Sequence, residues 1–593
     1  MRILCAVAVS LLLLTGFAHA DIRAPAAAAP DEDGQWTVPA KNYANTRFSG
    51  LGEINTENVG QLQVAFSFAT GVNRGQESSP LVVGSTMYVL SPYPHILYAL
   101  DLTQPGAPVK WQYNPKPDAS SQGVACCDVV NRGPTFADGA IFFTTLDDRV
   151  LSINAESGEL NWDKKLGSIN AGETMTMAPL VARGKVYVGV SGGEYGVRGW
   201  IQALDQKTGE TVWKAYNTGP DKEVLIGPSF EPFYDSDKGK DLGVSTWPPN
   251  AWQQGGGTVW GWLSYDPELN LLYHGTGNPG PWNPNQRPGD NKWTAGLFAR
   301  DADTGEARWF YQTAPHDLHD WDAINEMVLL DIDWQGSPRK VLVHPGRTGL
   351  VYVIDRTTGE VLSAQPFHAL TAITGVDLAT GRLQMNPEKE PVENRVVRDI
   401  CPTAPGAKDW NPSAWSAQTG LLYIPHNNLC MDWESVQTSY IAGTPYVGAE
   451  VRMTPGPGGH MGEFSAWDIE AGKEVWTIKE RFPVWSGALA TAGGLVFYGN
   501  MEGWFKAVDA KTGEVLWQFQ TGSGIIGQPT TYRGPDGHQY VAILSGVGGW
   551  AGAIVSGDLD PRDGTSAKGF VNAVGALKGV TSKGGTLFVF KLP

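Results

Sequence analysis

A tryptophan-bearing pattern returns along this chain, and no other feature restricts its fold as much. The pattern is a small or apolar residue, an Asp or Asn, a short polar stretch, a Gly, and then a Trp a few residues on. It appears as Asn154/Gly158/Trp162, Asp205/Gly209/Trp213, Asp301/Gly305/Trp309, Asp468/Gly472/Trp476 and Asp509/Gly513/Trp517. Two weaker copies surround Asp101/Trp111 and Asp355/Gly359, the latter without its Trp. Trp111, Trp162 and Trp213 are 51 residues apart, and Trp476 and Trp517 are 41 apart. A period of this length marks a stack of similar units, each burying its apolar face against the next.

The units read as strands. Val186–Gly189, Leu350–Ile354 and Leu495–Tyr498 are β-branched and aromatic runs bounded by Gly or Asp, the signature of short strands and tight turns. The 73 Gly and 40 Pro among 593 residues agree with many turns and few helices. Seven visible copies plus one divergent unit predict an all-β, eight-bladed β-propeller in which each Trp docks on the neighbouring blade.

The amino terminus reads as an export signal: Arg2, an apolar run from Ile3 to Phe17, and the A-x-A site Ala18-His19-Ala20. The expected layout is a signal over 1–20 and a single domain over 21–593, delivered to the periplasm. No later run approaches the length of a membrane span. The net charge of −17 argues against nucleic acid and anionic membranes as partners. Cys5 leaves with the signal, and Cys126, Cys127, Cys401 and Cys430 remain. In an oxidising compartment an even count favours two disulfides, with three pairings open.

The repeat resembles the tryptophan-docking motif of the PQQ-dependent methanol/ethanol dehydrogenase family, and the resemblance extends over essentially the whole mature chain. The string Ala125-Cys126-Cys127-Asp128-Val129-Val130-Asn131-Arg132-Gly133 is its most specific element. It implies a vicinal Cys126–Cys127 disulfide over one face of pyrroloquinoline quinone (PQQ), with Arg132 binding a cofactor carboxylate, and Cys401–Cys430 as a second, structural disulfide. Trp260, in Gly255-Gly256-Gly257-Thr258-Val259-Trp260-Gly261-Trp262, is expected on the opposite face. Glu77, Thr176, Ser191, Gly192, Gly193 and Thr258 match other cofactor-contacting positions, and Trp485 matches a Trp bordering the quinone. Asp409 stands where relatives often have an Asn; either it or Asn411 fills that role.

The resemblance implies a metal site of Glu194, Asn278, Asp320 and Asp322, all hard oxygen donors suited to calcium-like or lanthanide ions rather than zinc or copper. Asp322, two residues past the catalytic Asp320, is the informative member. A small neutral residue is common there in calcium-dependent relatives and a second Asp in lanthanide-dependent ones, because a trivalent ion is better balanced by three carboxylates. A lanthanide is expected, with calcium as the alternative. His319 replaces a usual Trp, so that wall of the active site is expected to differ; His316-x-x-His319 alone is a weak metal motif.

With PQQ doing the redox chemistry, Asp320 is the expected general base and Arg347 the cation beside the reactive carbonyl and a further cofactor contact. The expected reaction is oxidation of a primary alcohol to an aldehyde. No Cys-x-x-Cys-His is present, so electrons are expected to pass to a separate, soluble cytochrome c. A sugar or polyol dehydrogenase and a non-catalytic scaffold are the competing readings, the scaffold having no use for this set of site residues. Trp550 is a candidate for lining the substrate pocket. Both a monomer and a homodimer fit the sequence.

Overall fold

A computed structural model of the chain describes residues 32–593. The expected signal at 1–20, and the lead-in as far as Asp31, lie outside the described residues. Among those described, seven sheets have four strands, one has five, and two smaller sheets have two and three. The architecture is a β-propeller.

The first sheet shows how local sequence makes a unit. Leu81–Val83, Thr86–Leu90, Leu97–Asp101 and Val109–Tyr113 form an antiparallel meander in sequence order. Thr86–Leu90 is buried along its whole length, whereas Val109–Tyr113 is mostly exposed. A strand covered on both faces reads as a continuous apolar run, and the outermost strand is free to be polar. The next four sheets, together spanning 135–366, repeat the meander. The expected strands at Val186–Gly189, Leu350–Ile354 and Leu495–Tyr498 lie inside observed ones.

Adjacent sheets are joined by the repeat itself. In the turn after Asp205, its Oδ1 accepts from the Lys207 and Thr208 amides, and Gly209 takes a left-handed φ of 70°. A Cβ on Gly209 would lie 2.8 Å from the Trp162 indole of the preceding sheet, so only glycine fits. Trp162 Nε1 donates to Gln206 O at 3.0 Å. Trp213 and Trp309 dock in the same way on the turns of Gly305 and Gly359, donating to Ala302 O and Arg356 O. At the copy lacking its Trp, Gly472 instead faces Gln365.

Sequence-distant strands complete two sheets. Strand β1 (Gln63–Ala69) pairs antiparallel with β2 (Thr586–Lys591), and Phe48–Ser49 adds in parallel to Leu489–Thr491. Two short helices, α1 (Gly549–Ser556) and α2 (Phe570–Val574), break the β pattern before β2. Deep in the molecule Arg47 donates to Ala488 O, Pro529 O and Gln528 Oε1, and Gln528 Nε2 donates to Glu77 O and Arg132 O. The first segment of the described chain is thereby tied to the segments that line the site.

Candidate active site

Successive sheets contribute side chains to one cavity, which with its open mouth encloses about 590 Å³. The contributing residues share a position. Glu77, Arg132, Thr176, Trp260, Trp410 and Trp485 each lie three or four residues ahead of the innermost strand of a sheet. Where a chain enters an innermost strand of a propeller it passes close to the axis, so these side chains converge. Cys126, Cys127, Ser191, Gly192, Glu194, Arg347, Asp409 and Trp550 also line the cavity. The Cys126–Cys127 and Cys401–Cys430 disulfides are both present.

Arg132 is held on every side. It pairs with Glu77 at 3.0 Å, donates to Thr176 Oγ1 at 2.7 Å, and lies between the rings of Trp260 and Trp410 at 4.8 and 4.9 Å. Its Nε has no hydrogen-bond partner. A buried guanidinium with a free donor is a ready anchor for a carboxylate ligand. Burial pushes the Glu77 carboxyl up to about 8, against the pull of Arg132. From above, α1 is fastened over the cysteine loop: Asp128 Oδ2 accepts from Gly549 N and Ser556 Oγ.

Beside the cavity lies a buried acidic group. Asp320 has a left-handed φ of 71°, a conformation that costs on the order of 1 kcal/mol for a non-glycine residue. Asp317 stabilises that turn, its carboxylate accepting from His319 N and Trp321 N. Arg347 holds the acids together. Its Nη1 donates to Asp320 O at 2.6 Å and lies 3.4 Å from Asp320 Oδ2, while Nη2 is 3.1 Å from Asp409 Oδ1 and 3.6 Å from Asp322 Oδ2. Burial opposes its charge, and Asp409, Asp322 and Asp320 more than offset that penalty. Trp260 Nε1 donates to Asp322 Oδ2 at 2.9 Å.

Arg347 does not balance this group, and Lys568 adds only a smaller pull at Asp320. Burial raises Asp322 to about 7 and Asp320 well above the carboxylate range; Arg347 opposes the rise, and Glu194 adds to it at both. One end of the Asn278 carboxamide lies 3.0 Å from Asp322 Oδ1 and 3.3 Å from Asp320 Oδ1. As nitrogen, that end donates to both carboxylates; as oxygen, it adds a third hard donor to theirs. Excess buried negative charge with only oxygen ligands fits a hard cation and no soft one. Among the described residues no three His, Cys, Asp or Glu side chains by themselves close on one point as a metal site. The protein oxygens therefore make part of a shell, which the Asn278 oxygen and a ligand in the adjoining cavity would extend.

Asn278, Asp320, Asp322, Gly193 and Thr258 lie beside this cavity rather than in its lining. An added Cβ on Gly193 would sit 3.3 Å from Asn278 Oδ1 and 3.4 Å from Thr258 Oγ1. Asp409 reaches the cavity and Arg347, whereas Asn411 donates to Pro425 O and Val484 O and takes no part. His319 is not a cavity wall. It stacks on Trp321 at 4.1 Å and lines a separate hollow behind the Asp320 turn; burial pushes it down to about 3 and keeps it neutral. His316 Nε2 contacts Arg287 O at 3.0 Å, so the two histidines form no metal pair. Sequence reasoning missed Trp410, whose place four residues ahead of the strand at Ala414 is the position shared by Trp485 and Glu77.

Comparison with known proteins agrees with this geometry. The family profile described as "PQQ: Glucose/ethanol/alcohol dehydrogenase, beta-propeller domain" matches residues 36–368 and 461–541. The chain is 51% identical over 568 residues to the lanthanide-dependent methanol dehydrogenase of Methylacidiphilum fumariolicum (strain SolV), covering 95% of this chain and 93% of that one. It is 44% identical to methanol dehydrogenase (cytochrome c) subunit 1 of Methylorubrum extorquens, covering 94% and 91%. The solved structure of a europium-containing methanol dehydrogenase superposes with a TM-score of 0.94 at 51% identity, covering 95% of this chain and 99% of that one. Profile, relatives, fold and cavity agree, and the chain belongs to the family of PQQ-dependent alcohol dehydrogenases.

Proposed function

We propose that this protein oxidises primary alcohols to aldehydes in the periplasm, using PQQ and a lanthanide ion and passing electrons to a separate cytochrome c. The observation that carries the reading is the second aspartate. Asp322 is buried beside Asp320, Asn278 and Arg347, and its other oxygen accepts from Trp260, a cavity-lining ring. Three carboxylates, Glu194, Asp320 and Asp322, suit a trivalent ion better than a divalent one. The lanthanide-dependent and europium-containing relatives, and those named for cytochrome c, support the metal and the acceptor. The export signal supports the compartment, and no described helix is long and apolar enough to cross a membrane.

In this reading the eight sheets of four or five strands are the eight blades of one domain spanning 21–593, and the Cys126–Cys127 disulfide and the Trp260 ring would hold the cofactor. Arg132 anchors one of its carboxylates, with Glu77, Thr176, Ser191, Thr258, Asp409 and Trp485 around it. A side chain at Gly193 would press on Asn278 and Thr258, and Gly192 is fixed as glycine by its φ of 111° and the approach of the Gly172 carbonyl. Glu194, Asn278, Asp320 and Asp322 hold the ion. When bound, PQQ supplies the electron acceptor and the ion Lewis acidity. Asp320 takes the hydroxyl proton of the alcohol. Arg347 keeps that carboxylate in place and presents positive charge where negative charge develops. Trp550, on α1, closes the cavity from above and excludes water. The test is reconstitution of metal-free protein with PQQ plus either lanthanum or calcium, followed by quinone absorption and turnover of a primary alcohol series. Turnover restored by lanthanum is expected; turnover restored by calcium alone overturns the metal assignment, and quinone binding without turnover overturns the enzyme.

A further inference from the structure

Lys568 lies in the segment that covers the cavity and has no part in the roles assigned above. Its Nζ is 3.4 Å from Cys126 Sγ, a cavity-lining atom, and 5.4 Å from the centre of the Trp282 ring. Trp282 in turn approaches the Asn278 carboxamide through Nε1. The ammonium thus bridges the disulfide on one side and the metal-side wall on the other. It is partly buried; among the described residues no carboxylate lies within ion-pair distance of it, while its charge reaches Asp320 and favours that carboxylate's charged form.

The backbone is bent to put it there. Ala567, Lys568 and Gly569 have φ values of 50°, 50° and 86°, three left-handed residues in a row, two of them not glycine. Each non-glycine member costs on the order of 1 kcal/mol, so the surrounding structure must hold the turn. Trp550 Nε1 donates to Ala567 O at 2.6 Å and Gly569 O accepts from Met453 N at 3.2 Å. A cavity-lining ring therefore clamps the residue next to the lysine.

An unpaired, partly desolvated ammonium over an alcohol-oxidising cavity selects for charge at the far end of the substrate. We propose that Lys568 binds the carboxylate of a hydroxycarboxylate substrate whose carbinol reaches Asp320. This rests on the alcohol dehydrogenase reading above. The carboxylate is chemically a bystander: the carbinol gives up two electrons and two protons, with PQQ as the acceptor, and leaves as an aldehyde. A charge-assisted hydrogen bond to the carboxylate contributes roughly tenfold or more in kcat/KM over an uncharged end of the same length.

The experiment uses the holoenzyme with PQQ and lanthanum. It compares ω-hydroxycarboxylates with n-alcohols of matched length and reads the ratio of their kcat/KM values. Lys568→Met is expected to lower that ratio by about tenfold, and Lys568→Arg to restore most of it. High salt is expected to lower the ratio for the unmodified enzyme as well, because the site is only partly buried. A ratio unmoved in the Met variant across the series overturns the assignment. Should that variant not fold, a ratio in the unmodified enzyme that is independent of salt overturns it instead. If the unmodified enzyme oxidises no n-alcohol, the alcohol dehydrogenase reading has failed rather than the role of Lys568.

Discussion

Trp260 and Asp322 are joined by a 2.9 Å hydrogen bond from the indole nitrogen to the carboxylate. The ring expected to stack on the quinone and the acid expected to bind the ion are thus one mechanical unit, and a change at either is transmitted to the other.

The two roles of Asp322 separate by substitution. Asp322→Asn keeps an acceptor for Trp260 and removes the charge; Asp322→Ala removes both. Both variants should weaken lanthanide binding by roughly 100-fold, and the Ala variant should also shift the fluorescence of Trp260. Terbium titration, read by tryptophan-sensitised emission, measures both effects. Equal lanthanide affinity in the Asn variant and the unmodified protein would show that the charge of Asp322 is not what selects the metal.

Arg347 faces three carboxylates within 3.6 Å. Arg347→Ala leaves buried acids without their cation, and should destabilise the metal-free fold by about 3–5 kcal/mol and cut turnover by about 100-fold or more. Arg347→Lys retains the charge but not the fork that reaches Asp320 O and Asp409 together, so it should recover stability better than turnover. Denaturant melts and initial rates on the same preparations check this.

Above about pH 7, stability of the metal-free protein should fall as pH rises. Burial raises Glu77 to about 8 and Asp322 to about 7, whereas both titrate near 4 when unfolded. Between those values the folded chain carries protons there that the unfolded chain has lost; below about pH 6.5 the histidines that burial holds neutral act in the opposite sense, so alkali favours unfolding only above it. A bound cation replaces the protons at Asp322 and should flatten the slope, while its own affinity rises with pH. Thermal melts from about pH 7 to pH 9, with and without lanthanum, test both signs. A metal-free melting temperature that rises through the window would contradict the burial of these acids.

Docking between sheets can be tested at Gly359, which has a φ of 82° and lies 2.9 Å, by its would-be Cβ, from the Trp309 ring. Trp309→Ala should cost about 3–5 kcal/mol. Gly359→Ala should cost more than 1 kcal/mol through strain and overlap combined. The same Gly→Ala change at Gly472, which faces the flexible Gln365 rather than an indole, should cost less. Chemical denaturation of the three variants ranks them.

Much of this was legible in the sequence because the units repeat. The Asp, Gly and Trp of each copy report a local turn and a contact that recurs, so the spacing exposes the fold. The site was legible where one string carries both ends of an interaction, as in Cys126-Cys127 or Asp320-Trp321-Asp322. Contacts between distant segments were not. That Trp410 covers the face of Arg132 opposite Trp260 depends on two segments 278 residues apart. Lys568 over Cys126 depends on a separation of 442. The pairing of β1 with β2 has the same character, since neither strand's own pattern names its partner. His319 misled for a related reason: its position in the string suggested a cavity wall, and the left-handed turn at Asp320 leaves His319 stacked with Trp321 in a separate hollow while the Asp320 carboxylate faces Arg347.

The pairing of β1 with β2 makes the propeller a hoop with a clasp. Until residues 586–591 have folded into place, the sheet to which β1 belongs lacks the strand between it and the rest, and two raw sheet edges stay open to other chains. A hoop of this kind also has no weak end from which to fray. Its clasp strand is the point at which the ring closes, so a chain clipped of those six residues should be the aggregation-prone form of this protein.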